Sequence, residues 1–233
     1  MFRSDSQPSK LRRASLLPRI RRTLKAPDRP IAIRKECITD RKTTLVLRPY
    51  GDAQSEVAYQ ICDLDGVTQL TVSGHKFGGR SCREFRDSSG LPLFELHKKS
   101  SFRTGWCVTL PGCVSANIAT GGLRRSFSSS VESFYLSFEN VAALDCKHKE
   151  DKQLTLEIER FGNALASFDI VDGDRKVAEV RESIPHNRTL ALMPGSKRGW
   201  RPAIDIIIMP HVDITLATVI AVIASDSTFT ANY

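Results

Sequence analysis

The chain has six cysteines (Cys37, Cys62, Cys82, Cys107, Cys113, Cys146) but no C-x-x-C pair. Zinc sites read from sequence rest on two close ligand pairs, so the spacing points to no metal centre. Catalytic signatures are missing as well. None of the five histidines (His75, His97, His148, His186, His211) sits in an H-E-x-x-H pattern, and no serine occupies a G-x-S-x-G elbow. Neither Gly78-Gly79 nor Gly121-Gly122 opens a phosphate-binding loop. The sequence therefore offers no enzyme active site and no cofactor site. Trp and Tyr are scarce, at two and four residues, which disfavours a stacking surface for nucleic acid. No apolar run reaches the roughly 20 residues that span a bilayer. The most apolar stretch, Ile204 to Ala224, is broken by Asp205, Pro210, His211 and Asp213, which leaves 11 clean residues from Ile214 to Ala224.

Charge is present but unevenly placed. Met1 to Tyr50 holds 14 Lys and Arg against 4 Asp and Glu, whereas Gly51 to Tyr233 holds 20 against 22. The overall +8 thus belongs to the N-terminal region, and the remainder is close to neutral. Met1 to Arg29 reads as a basic, disordered tail, and residues 30–233 as one domain. The arm contains Arg12, Arg13, Arg19, Arg21, Arg22 and Lys25, with Pro8, Pro18 and Pro27 interrupting it. It could be a solvated tail, a mitochondrial presequence, or an arm for anionic lipid or nucleic acid. Ser15 follows Arg12-Arg13 in the manner of a basophilic kinase site, where phosphate would offset the arm's positive charge. No secretory pattern precedes the cysteines, so free thiols and an intracellular address are expected, cytoplasmic or peripheral to a membrane. A nuclear or mitochondrial address stays open.

From Arg34 onward the dominant signal has period 2. Val57, Tyr59 and Ile61 alternate up to Asp63-Leu64-Asp65-Gly66, and Gln69 to Ser73 returns as a hairpin. Asp63 and Asp65 lack the closing Glu of a calcium loop, so they are turn formers. Asp87-Ser88-Ser89-Gly90 repeats that chemistry before a strand from Leu91 to Lys98. Further strands are expected at Phe102 to Leu110, Val131 to Phe138, Leu154 to Ile158, Phe168 to Val171, Val177 to Arg181 and Ile204 to Met209. Ser115 to Ser130, rich in Ser, Gly and Ala, reads as a mobile loop, and Met193 to Pro202 as a turn-rich insertion.

Ten to twelve short strands with regular turn signals indicate a sandwich or barrel. The ending decides between them. A helix apolar on nearly every side, from Ile214 to Ile223, must be surrounded by protein. Twelve or so residues make about 18 Å of helix, which fits inside a small closed barrel. Asp213 is placed to cap it, and His211 reads as a capping or packing residue.

The order of these features resembles the LURP-one-related proteins of the tubby C-terminal-like superfamily, which also includes the phospholipid scramblases. The similar segments are Ile61 to Gly66 followed by Gly74-His75-Lys76-Phe77, then Phe85 to Leu96, and Trp106-Cys107-Val108. In the second half they are Ala178-Glu179-Val180 and Met209-Pro210-His211-Val212-Asp213 before the apolar helix. The resemblance implies a mainly β, closed antiparallel barrel of about twelve strands around a buried C-terminal helix. It implies a non-catalytic module, and lipid handling in the relatives makes phosphoinositide or other anionic phospholipid recognition an expectation here. A protein partner is the other expectation, and nucleic acid bound by the basic arm is the alternative reading. No tubby lipid-contact residue maps onto a numbered position of this chain.

One cluster fits lipid recognition by its own chemistry. Lys197, Arg198, Trp200 and Arg201 combine cations for phosphate with an indole suited to the headgroup level. Lys98, Lys99 and Arg103 would extend the basic face.

Overall fold

The structure is a computed structural model, which describes residues 22–50, 58–74, 82–99, 105–124, 133–145, 149–160, 167–187 and 202–229. Twelve strands form one closed, fully antiparallel barrel. They are β1 (Thr43–Pro49), β2 (Tyr59–Cys62), β3 (Thr68–Val72), β4 (Cys82–Asp87), β5 (Pro92–Lys99) and β6 (Gly105–Leu110). The second half comprises β7 (Cys113–Arg124), β8 (Ser133–Glu139), β9 (Gln153–Arg160), β10 (Phe168–Asp172), β11 (Arg175–Glu182) and β12 (Ile204–Ile208). Neighbours in sequence are neighbours in the sheet, and β1 closes the ring by pairing with both β2 and β12. A short helix α1 (Lys149–Lys152) precedes β9, and α2 (Ile214–Phe229) follows β12.

Helix α2 fills the barrel. Leu216, Ala217, Val219, Ile220, Val222 and Ile223 are each at most 1% exposed, on every side of the helix. They pack against inward residues of the wall such as Leu45, Ile61, Phe94, Leu136, Ile158, Ile170 and Ile206. Full burial of one such aliphatic side chain is worth about 1.5–3 kcal/mol, so the helix and wall stabilise each other. The helix has 16 residues rather than twelve, about 24 Å at the usual rise. The extra turns come from Ser225-Asp226-Ser227-Thr228-Phe229, a polar extension that hydropathy alone does not mark as helix. Among the described residues, no helix is long and apolar enough to cross a membrane.

Asp213 holds the helix N-terminus as its composition predicts. Its Oδ1 accepts from the Thr215 and Leu216 amides at 2.7 and 3.3 Å and from the Thr215 hydroxyl at 2.7 Å. Its Oδ2 accepts from the Ile33 and Arg34 amides at 3.0 and 2.9 Å. One buried carboxylate thus ties the helix start to the segment before β1. Burial pushes its pKa upward, opposed by these donors. His211 is expected from the sequence to cap or pack at the helix entry. Its side chain is exposed, while its backbone adopts a left-handed φ of 70° and bonds Thr39 and Ile31. The residue turns the chain.

The other correction concerns Ser115 to Ser130. Through Arg124 this stretch is strand β7, paired with β6 and β8; residues 125–130 lie outside the described set. Small residues are needed there. A Cβ on Gly121 would stand 2.4 Å from the Tyr135 carbonyl oxygen and 3.1 Å from Leu136. The expected strand from Phe102 is described from Gly105 onward.

Candidate functional site

The up-and-down topology sorts the connections into two groups at opposite ends of the barrel. At one end lie the β2–β3, β4–β5, β6–β7, β8–β9 and β10–β11 connections, with Asp213 and the start of α2. The two Asp-led hairpins there are built alike. Asp63 accepts from the Asp65 and Val67 amides, and Asp87 from the Ser89 and Leu91 amides. Gly66 and Gly90 follow at φ +86° and +88°, the left-handed bulge position that ends such loops. Residues 30–39 seal this end. Ile31, Ala32 and Ile33 are buried, Ile31 pairs with Val212, and Asn140 accepts from the Ala32 amide. The hairpin acids Asp63, Asp65, Asp87, Asp172 and Asp174 all belong to this end.

The opposite end carries the β1–β2, β3–β4, β5–β6, β7–β8, β9–β10 and β11–β12 connections and the end of α2. Here an internal ion pair anchors the helix to the wall. Arg83, 2% exposed, reaches Asp226 through Nε at 2.7 Å and a terminal nitrogen at 2.9 Å. Arg83 also donates to the Ser73 carbonyl at 2.9 Å, and the Tyr59 hydroxyl donates to Asp226 at 2.8 Å. Asn187 clamps the stems of the β11–β12 connection. Its side-chain amide donates to the Ala203 carbonyl and accepts from the Ala203 amide, at 2.7 and 3.0 Å. That pairing gives the buried Asn187 a structural task.

Lys98 and Lys99 end β5 on this rim, both exposed. Lys98 pairs with Trp106 and so shares the inward parity, at the mouth; Lys99 pairs with Gly105 on the outer side. Arg103 and the cluster Lys197, Arg198, Trp200 and Arg201 lie outside the described residues. Their connections nonetheless leave from this same rim, since β5, β6, β11 and β12 all reach it. Strands β6 and β11 have four others between them in the ring of twelve. A twelve-stranded barrel is roughly 20–25 Å across, from the ~4.8 Å strand spacing and the usual tilt. The two basic connections therefore start on well-separated sides of the mouth.

The basic arm is partly on the wall. Arg12, Arg13, Ser15, Arg19 and Arg21 lie outside the described residues, but the chain is described from Arg22, within the stretch expected as tail. Arg22 pairs with Glu159 at 3.0 Å, and the Lys25 amide donates to the Lys176 carbonyl at 2.9 Å. Arg29 pairs with Asp151 at 2.9 Å and Asp172 at 3.4 Å, while Asp28 meets Arg175 at 2.5 Å. Between these contacts Lys176 is 1% exposed and holds Asp169 and Glu179 at 2.7 and 2.5 Å. Sequence reasoning missed this face because the acids are 120 residues and more from the arm; the arm's charge excess was the only available signal.

The sequence model of the LURP-one-related family matches residues 43–225. Among solved structures, an X-ray structure of an Arabidopsis thaliana protein superposes with a TM-score of 0.54 at 14% identity. The match covers 85% of this chain and 98% of the plant protein, and shows a shared fold. No curated protein matches the chain.

Proposed function

Since the chain belongs to the LURP-one-related family, we propose that it is a binding module whose Asp226 end engages anionic phospholipid headgroups. The carrying observation is the polarity of the barrel. Aspartates occupy the hairpin tips at one end, whereas Lys98 and Lys99 stand exposed on the opposite rim. The connections holding Arg103, Lys197, Arg198 and Arg201 issue from that rim too. Loops carried on a rigid frame are where recognition usually sits. The width of the mouth selects among lipid readings. The two basic connections leave the mouth on sides roughly 20–25 Å apart, which favours contact with a charged membrane surface over a pocket for one headgroup. Each Lys or Arg near such a surface contributes about 1 kcal/mol, lost within a Debye length.

The test is sedimentation with phosphatidylcholine vesicles, with and without phosphatidylserine or a phosphoinositide. The proteins are full-length chain, a form lacking residues 1–21, and two rim variants. We expect binding only to anionic vesicles, weakening with salt. Lys98→Glu/Lys99→Glu and Lys197→Ala/Arg198→Ala/Arg201→Ala should each weaken it by tenfold or more. Absence of binding at low salt for both full-length and truncated chains would end the lipid reading.

A further inference from the structure

A second set of reactive side chains lies on the outer face of β4, β5 and β6. Cys82 is directly opposite His97, and His97 is directly opposite Cys107. Two residues along, Glu95 stands between Glu84 and Thr109. The Cys82 sulfur, a Glu95 oxygen and a His97 ring nitrogen all lie within 4.8 Å of one another. Cys82 is buried, and the His97 and Glu95 side chains are 17% and 18% exposed. Glu95 is already oriented. Its Oε1 accepts from the Gly112 amide at 3.0 Å, and its Oε2 is 3.1 Å from His97 Nε2. Thr109 Oγ1 lies 3.1 Å from the same nitrogen. Glu84 faces Glu95 as a like-charge cross-strand pair, which is unfavourable without a cation. Arg86 meets Glu84 at 2.5 Å, which compensates one of the two carboxylates.

We propose that Cys82, Glu95 and His97 bind one thiophilic divalent cation of the zinc class, with water in the fourth position. A thiolate, an imidazole and a carboxylate form a donor set that suits zinc, and three protein ligands leave one site open. Tetrahedral zinc places its donors about 3.3–3.8 Å apart, by its bond lengths, so shifts of about 1 Å complete the site. The hydrogen bond from Gly112 to Glu95 is the kind of outer support that fixes a ligating carboxylate. Binding replaces the thiol proton of Cys82, which is released to solvent as the sulfur–metal bond forms. Without metal that proton is held firmly. Burial, then the Glu95 and Glu84 charges, raise the Cys82 pKa to about 11. The cation would pin β4 to β5, its two charges balanced by the Cys82 thiolate and Glu95.

The experiment is a cobalt(II) titration of the full-length, reduced protein, followed by zinc competition and thermal melting with and without zinc. We expect one equivalent bound, with a thiolate-to-cobalt charge-transfer band and visible bands of tetrahedral intensity. Zinc should displace the cobalt and raise Tm. Because one thiol proton leaves, affinity should rise about tenfold per pH unit near neutrality. Cys82→Ser should abolish the charge-transfer band, and Cys113→Ser should leave it unchanged. Glu95→Gln keeps the thiol, so it should retain the band while weakening binding tenfold or more, with unliganded Tm as the folding control. A missing band overturns the proposal, as does one that survives Cys82→Ser or disappears in Cys113→Ser. Should Cys82→Ser not fold, undiminished affinity in Glu95→Gln and His97→Ala overturns it equally.

Discussion

The cysteines show how much a single side chain's chemistry depends on its place in the wall. Cys113 is half-buried, and hydrogen bonds from Ser115 and then the Ala116 amide lower its pKa. Cys37 and Cys82 move the other way, both raised to about 11, with burial as the first cause. For Cys37 the Asp213 and Glu36 charges add to the shift. Since thiolate is the nucleophile, Cys113 should react with iodoacetamide before Cys37 and Cys82 at neutral pH. Peptide mapping by mass spectrometry over a time course checks this order, and faster labelling of Cys37 would contradict it. The same shift makes stability pH-dependent. An unfolded Cys37 loses its proton near pH 9, whereas the folded one keeps it to about 11. Its contribution is therefore full below pH 9 and lost as pH rises from 9 through 11. Cys37→Ser should show a smaller fall in Tm across that window. None of these differences was legible in the sequence, where the six cysteines read alike as free thiols.

At the level of elements, α2 depends on one carboxylate. Replacing Asp213 by Ala would leave the Ile33, Arg34, Thr215 and Leu216 amides without their acceptor in a buried site. Loss of a cap together with buried unpaired donors should cost about 2–4 kcal/mol. Asp213→Asn keeps one acceptor oxygen and should cost less. Urea denaturation of both variants measures the difference, and equal losses would show that the cap is not the source. This element was readable in advance, because an apolar surface on all sides and a preceding Asp leave few alternatives. Strand β7 was not. Its inward positions Ala119 and Gly121 are too small to register as an alternating pattern. At Gly121 the smallness reflects the close approach of the Tyr135 carbonyl, a contact only the folded sheet reveals. The Cys82, Glu95 and His97 cluster was hidden for a related reason. A sequence rule for metals looks for neighbours along the chain, and a sheet makes neighbours of Cys82 and His97 across fifteen residues.

Across the whole molecule, the first strand and the last are partners. β1 pairs with β12 from Thr43↔Ile208 to Leu47↔Ile204, so the ring cannot shut until nearly all of the chain is present. A chain ending at Ala203 lacks both β12 and the α2 filling, and should show no cooperative urea transition and no fixed near-ultraviolet dichroism. A sharp transition in that fragment would mean that the wall stands without its helix. The fold class, the helix and most strands followed from period and turn chemistry. The two-ended sorting of charge did not, because it depends on which way each connection points, and only a closed meander fixes that.

The closed ring also limits how a partner can join. Among the described strands every one has a neighbour on both sides, so none of them is an edge strand of the kind a foreign strand extends. Peptides that bind by adding themselves to a sheet find no purchase here, and the same closure shields the native wall from edge-to-edge stacking into fibres.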